Sequence, residues 1–338
     1  MHVIKAVNAH SALPELIYQL KNRGVHRSSR NGDVLMFPDP VTTVYSLPQE
    51  RVVFWPERDA NPFFHFFESL WMLAGRNDVA YPATFLERMK DFSDDGETLH
   101  GAYGHRWREH FGNDQLRVIA EALQKDPDCR RQVLAMWDPA HDLGVATKDA
   151  PCNTHVYFQR NAYGDLDMTV CCRSNDIIWG LAGANAVHFS MLQEYMAAWI
   201  GCQLGRYWQI SNNCHAYVSV FEKVLPLADE ALQPPDKMIL WDPYRDVDPY
   251  PLVSTDIRTW DTDLHRFLSG EIGFDEPFFA EVAFPFLKAH CLIKSALPKI
   301  ARLEAALEEL KVCEATDWRL AAEEWVGRRL QRAKCIAI

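Results

Sequence analysis

No run of about eighteen apolar residues occurs in this 338-residue chain, so no segment reads as a membrane-spanning helix. Its first residues lack a basic patch followed by an apolar core and a small-residue cleavage site, which gives no ground for secretion. Nine cysteines are present, an odd number without CxxC pairs or regular spacing. A disulfide framework is therefore not expected, no metal is expected, and the chain reads as cytoplasmic, in a reducing compartment. Runs of Lys and Arg interleaved with aromatics are missing and the formal net charge is -11, which argues against a nucleic-acid polymer as partner. Repeats, low-complexity tracts and flexible linkers are missing too.

What is present is a globular composition. With 48% hydrophobic residues the chain can bury a large core. Leu13, Leu16, Ile17 and Leu20 have helical spacing ahead of Gly24, and 33–54 reads as short strands broken at Pro38, Pro40 and Pro48. Asn61 and Pro62 suit an N-cap and first turn, after which Phe63, Phe66, Phe67, Leu70, Trp71 and Ala74 make one apolar stripe ending at Gly75, with Glu68 beside it. Strands are expected over 132–137, 155–160 and 166–173, the last two joined by turn residues 161–165. In the last of these Leu166, Met168, Val170 and Cys172 point one way, so Arg173 emerges on the more polar face. Residues 186–200 read as a buried helix ending at Gly201, and 292–310 and 318–332 as further helices, with Pro298 starting or kinking one of them.

Against this background one ordered set of residues carries chemistry. Cys152 follows Pro151, about twenty residues ahead of Arg173-Ser174-Asn175-Asp176, and then come Gly180, Asn185, His215 and Tyr217. A lone cysteine is ordinarily a packing residue. Cys152 stands apart because its backbone is fixed by a proline and arginines are at hand to favour a thiolate. Upstream lie Glu68 in its helix, Tyr103 in Gly101-Ala102-Tyr103-Gly104, Arg130 and Arg131, and Arg30 ahead of Asn31-Gly32-Asp33. His65 and His188 have no comparable support and are taken as structural. In its order of motifs the chain resembles the thymidylate synthase superfamily over residues 27 to 222, and its end, Cys335 to Ile338, resembles that family's short closing tail.

The resemblance implies an α+β, three-layer fold with a large mixed sheet packed by helices. It implies a single catalytic domain over 1–338, of which 225–332 is a divergent, mostly helical portion. It implies that Cys152 adds to C6 of a pyrimidine nucleoside monophosphate (dUMP, or dCMP or CMP), and that the activated C5 takes a one-carbon unit from 5,10-methylenetetrahydrofolate. Glu68 would move protons at the O4 or N4 edge of the base and Tyr103 would assist loss of the C5 proton. Arg30, Arg173 and Ser174 would hold the 5'-phosphate, Arg130 and Arg131 would reach in from the partner of a homodimer, and His215 and Tyr217 would meet the ribose. Asn185 would read the base, and Asp176, Met89 and Ile338 would face the folate.

Four departures qualify the match. Asn153 stands where the family usually has histidine, and Asn213 where it has aspartate. One extra residue separates Gly180 from Asn185, and no tryptophan lies between Phe85 and Tyr103. The missing indole favours water over hydride as the final reactant, hence a hydroxymethyl product, and Asn185 favours uracil over cytosine. A methylating synthase and a dCMP or CMP hydroxymethylase remain the alternatives within the family. Outside it stand a cysteine hydrolase built on Cys152, His215 and an asparagine, and a non-catalytic nucleotide-binding protein.

Overall fold

The computed structural model describes residues 2–233 and 242–336. Its centre is an eight-stranded mixed sheet of β1 (His2–Ala6), β2 (Val25–Ser29), β3 (Gly32–Met36), β4 (Val41–Tyr45), β5 (Val133–Ala135), β6 (Asn153–Arg160), β7 (Leu166–Asp176) and β8 (Leu204–Tyr217). The order is β1-β4-β8-β7-β6-β5, with β3 also on β8 and β2 on β3. The fourteen-residue β8 holds the sheet together: it runs parallel to β7 on one side, and on the other its Tyr207–Ser211 stretch pairs with β4 and its His215–Tyr217 stretch with β3.

Alternation along β7 comes out as the sequence suggests. Leu166, Met168, Val170 and Cys172 are buried and Arg173 is exposed. Over the buried face lies the helix Asn185–Ile200, closed by Gly201 in the left-handed region at φ +80. Against it packs the helix Pro62–Leu73, every residue of which is buried, Glu68 included. Asn61 caps that helix by accepting the Phe64 N–H.

The C-terminal helices Ile257–Leu268, Phe284–Lys294, Lys299–Leu310 and Thr316–Ile336 pack behind the Glu68 helix. Phe63 stacks on Phe286 at 4.5 Å, Phe66 meets Trp318 at 5.2 Å and Phe67 meets Phe267 at 6.1 Å. The C-terminal third thereby shares one hydrophobic core with the sheet, and that core fixes the back of the helix carrying Glu68.

Three expectations change. Residues 292–310 are not one helix, because Pro298 is extended (φ -52, ψ 144) and has no N–H to carry the ladder, so the chain breaks after Lys294 and restarts at Lys299. The strand stretch of 33–54 ends at Tyr45. Strand β8 was not anticipated, because its buried positions include Gln209 and Ser211, which hide the apolar alternation.

Candidate active site

Cys152 sits at the entry to β6, held by its neighbours rather than by its own side chain. The Tyr103 hydroxyl accepts the backbone N–H of Cys152 at 3.0 Å and of Asn153 at 3.1 Å. Two glycines let the tyrosine loop come this close. A Cβ on Gly101 would stand 2.6 Å from the Asp149 carbonyl oxygen, and one on Gly104 would stand 2.0 Å from that of Met72 in the Glu68 helix. Below the loop, buried Arg106 binds Asp142 and the Met136 carbonyl. From β7, Arg173 donates to the Pro151 and Ala150 carbonyls, and its Nη2 lies 3.8 Å from the Cys152 sulfur. Burial pushes the Cys152 thiol up, Arg173 opposes this and Asp149 adds to it. Burial also pushes the Tyr103 phenol far up, so it stays protonated and keeps one proton to give.

Beside Cys152 runs a file of amides. Asn153 Nδ2 donates to Asn185 Oδ1 at 3.0 Å, Asn185 Nδ2 to Asn175 Oδ1 at 3.0 Å, and Asn175 Nδ2 to the Ser211 hydroxyl at 3.0 Å. The asparagine standing in for the family's histidine is thus tied to the proposed base reader. The extra residue between Gly180 and Asn185 is taken up in a wide turn over Ile177–Ala184, where Ala182 (φ -102, ψ 45) and Gly183 (φ -157, ψ -123) leave the helical region. Gly180 is required there, since a Cβ would fall 2.4 Å from Asn175 Oδ1.

Glu68 meets a residue that sequence reasoning set aside. His188 Nε2 lies 3.0 Å from Glu68 Oε2, and both side chains are buried. Only its place three residues after Asn185, on the same helix face, could have marked it. His65, also taken as structural, stands edge-on to His188 at 6.5 Å, its pKa held well below the ordinary value by burial, then by the charge of Arg58.

A cleft of about 780 Å³, joined to the Cys152 side through Ala150 and Arg173, brings together Arg30, Arg173, Ser174, Asn213, His215 and Tyr217. The parallel register of β7 and β8 sets Ser174 opposite Asn213 and Asp176 opposite His215. His215 Nδ1 bonds Asn213 Oδ1 at 3.0 Å, so its hydrogen bond goes there and not to Cys152. Arg27, which the sequence did not single out, lines the same cleft. Arg130 and Arg131 are exposed and, among the described residues, make no hydrogen bond or ion pair within the chain.

Asp176 caps the wide turn, accepting the N–H of Ile178 and Trp179 on Oδ1, while its Oδ2 is buried without a hydrogen-bond partner. Burial raises its carboxyl despite those bonds and the nearby His215 and Arg58. Arg58 itself donates to the Ile178 carbonyl and is pushed down by burial to about 10. Met89 is half-buried in the turn Glu87–Phe92, and Ile338 lies outside the described residues. The same rim carries an indole from an unexpected segment: Trp179 is 39% exposed, lies 5.7 Å from the Tyr217 ring, and has the Arg88 guanidinium at 5.6 Å, which also covers Phe92 at 5.8 Å. The rim therefore carries an indole although 86–102 holds no tryptophan.

Residues 12–265 match the thymidylate synthase family, well past the last recognisable motif, and the chain belongs to that family. It is 56% identical, over 97% of its own length and 95% of the relative's, to a protein named deoxyuridylate hydroxymethyltransferase from Pseudomonas phage M6. Proteins of the same name from Bacillus phage SP01 and Delftia phage PhiW-14 are 36% and 29% identical, over 69% and 66% of this chain and 64% of each relative.

Proposed function

We propose that the protein hydroxymethylates C5 of dUMP, with 5,10-methylenetetrahydrofolate as the one-carbon donor. The near full-length identity to the phage M6 deoxyuridylate hydroxymethyltransferase carries this reading, and the site supplies the residues for it. Cys152 adds to C6 of the base. Burial raises the thiol, and Arg173 is the cation in reach of its sulfur to favour the thiolate. Tyr103, anchored by two N–H donors, has its own proton free to exchange with a water near C5. Arg30, Arg173 and Ser174 line the cleft for the 5'-phosphate, and His215 and Tyr217 line it from β8 for the ribose.

Base choice follows from the hydrogen-bond inventory of Asn185. Its Oδ1 already accepts from Asn153 and its Nδ2 already donates to Asn175, leaving one lone pair for N3–H and one hydrogen for O4. Uracil presents that complement.

The residues also fit a folate. Asp176 Oδ2 is a buried acceptor without a hydrogen-bond partner, which suits the N–H donors of a pterin, and the Trp179 and Phe92 rings flank Arg88, with Met89 in the same turn as Phe92. When bound, the folate supplies a one-carbon unit at the oxidation level of formaldehyde. Ile338 is taken to close over it.

The homodimer reading is supported by exposed, unengaged Arg130 and Arg131 and by the outer sheet face, where Val133 and Tyr157 are 48% and 44% exposed. Nine unpaired cysteines suit a cytoplasmic setting, and a shared core suits one catalytic unit from end to end. No described helix is long and apolar enough to cross a membrane. A papain-type hydrolase would need an imidazole on the thiol, whereas the thiol has Arg173 and the Ala150 carbonyl.

The test is incubation with methylenetetrahydrofolate and each of dUMP, dCMP and CMP, with mass analysis of nucleotide and folate. 5-Hydroxymethyl-dUMP with tetrahydrofolate is expected. A methylated nucleotide with stoichiometric dihydrofolate would replace the reading by a methylating synthase.

A further inference from the structure

The geometry points to His188 as a positioning residue for the final step: Glu68 and His188 act as one pair that takes a proton from the attacking water. This rests on the hydroxymethylation reading above.

Four observations meet here. His188 lies one helical turn beyond Asn185, so both face the base side of the Asn185–Ile200 helix. Its Nε2 is 3.0 Å from Glu68 Oε2, yet it is not aligned into a hydrogen bond, and that nitrogen is buried without a partner. The residue is only 5% exposed, so bulk water does not serve it. The groups facing the pair are few. His65 stands behind His188 and is kept neutral by burial, with Arg58 beyond it. Asp149, which feels the Glu68 charge, lies on the nucleophile side. Among these, His188 is the imidazole whose ring nitrogen lies within reach of Glu68. A satisfied core histidine would hold its nitrogen in a hydrogen bond.

The step balances. Before it, Cys152 is bonded to C6 and C5 carries an exocyclic methylene. Water oxygen bonds to the methylene carbon, and the exocyclic double-bond pair moves into the ring as an O4 enolate. The proton lost by water goes to the Glu68 carboxylate and on to His188 Nε2. Collapse of the enolate breaks the C6–S bond, and the proton held by the pair returns through Glu68 and the water of the nucleotide site to the departing Cys152 thiolate. Nothing is oxidised or reduced.

The test replaces His188 with Gln, which can still donate to Glu68 but cannot carry a proton away. Tritium release from dUMP labelled at C5 is compared with 5-hydroxymethyl-dUMP formed. Wild type should give about one release per product. In His188→Gln the methylene species waits and reverts, so release should exceed product by about tenfold or more, with the melting temperature and dUMP affinity unchanged. Equal loss of both signals, leaving the ratio at one, would reduce His188 to a packing residue. A second measurement needs no folate. The His188 ring titration, followed by NMR in the dUMP complex, should move to lower pH in Glu68→Gln, because the imidazolium loses its carboxylate. An unmoved midpoint would overturn the pairing, and this arm decides if His188→Gln fails to fold. If wild type makes no hydroxymethyl product from dUMP, the functional reading fails, while the NMR arm still reports on the pair.

Discussion

Asn153 Nδ2 donates to Asn185 Oδ1 across 3.0 Å, which ties the residue after Cys152 to the proposed base reader. Replacing Asn185 by Asp removes the hydrogen meant for O4 and sets a carboxylate oxygen against Asn175 Oδ1. Asn185→Asp should therefore lower kcat/KM on dUMP and move the dUMP to dCMP ratio toward cytosine by at least about tenfold. Competition assays with both nucleotides check this, and an unchanged ratio would take base reading away from Asn185.

The Cys152 thiol should be slow to alkylate in the nucleotide-free protein, since burial and Asp149 hold it protonated against Arg173. Removing the Asp149 charge should lower the thiol pKa, so Asp149→Asn should speed iodoacetamide labelling of Cys152 several-fold near neutral pH. Peptide mass mapping separates Cys152 from exposed Cys291 and Cys335. Cys152→Ser should abolish C5 hydrogen exchange and leave dUMP binding nearly intact.

Shared sites make a stronger claim than dimerisation alone. If Arg130 and Arg131 serve a neighbour, an inactive Arg131→Ala chain mixed with an inactive Cys152→Ser chain should regain activity, up to about one quarter of the wild-type level for random mixing into pairs with one intact site. A fully active monomer in sedimentation at assay concentration would contradict it.

Asp317 should make a contribution to stability that falls as pH rises through the weakly acidic range, opposed by buried His65 and His290, whose pKa values burial lowers. Asp317, buried in the last helix and bonded by the Trp318 N–H and the Tyr244 hydroxyl, is pushed by burial up to about 6. A carboxyl raised above its unfolded value of about 4 stabilises the fold while protonated, so this contribution is complete below about pH 4 and is lost through about pH 6. The amount is about 3 kcal/mol at most. Asp317→Asn should flatten that slope in urea titrations at pH 4 to 8, and an unchanged slope would show that Asp317 stays charged.

Residues whose role is set by local chain chemistry were legible in the sequence. Pro151 before Cys152, the Asn61–Pro62 start and the alternation of Leu166 to Cys172 all reappear in place. What stayed hidden depends on residues distant in sequence. His188 looks like any apolar-face histidine until the Glu68 helix is laid against it. Trp179 belongs to a different segment from Phe92, and the turn over Ile177–Ala184 carries it to Arg88, which also covers Phe92. Strand β8 conceals its alternation because Gln209 and Ser211 are buried polar positions.

The turn at Ala182 and Gly183 decides where this chain can change length. Because the extra residue is absorbed ahead of Asn185, the helix that follows keeps its phase, and Asn185 and His188 stay on one side of it. A residue added or lost at 182–183 alters the slack and leaves the chemistry aimed. The same residue inserted after Asn185 would turn His188 by roughly 100° relative to Asn185 and part it from Glu68. Length variation among relatives should therefore collect at this turn and stop abruptly at Asn185.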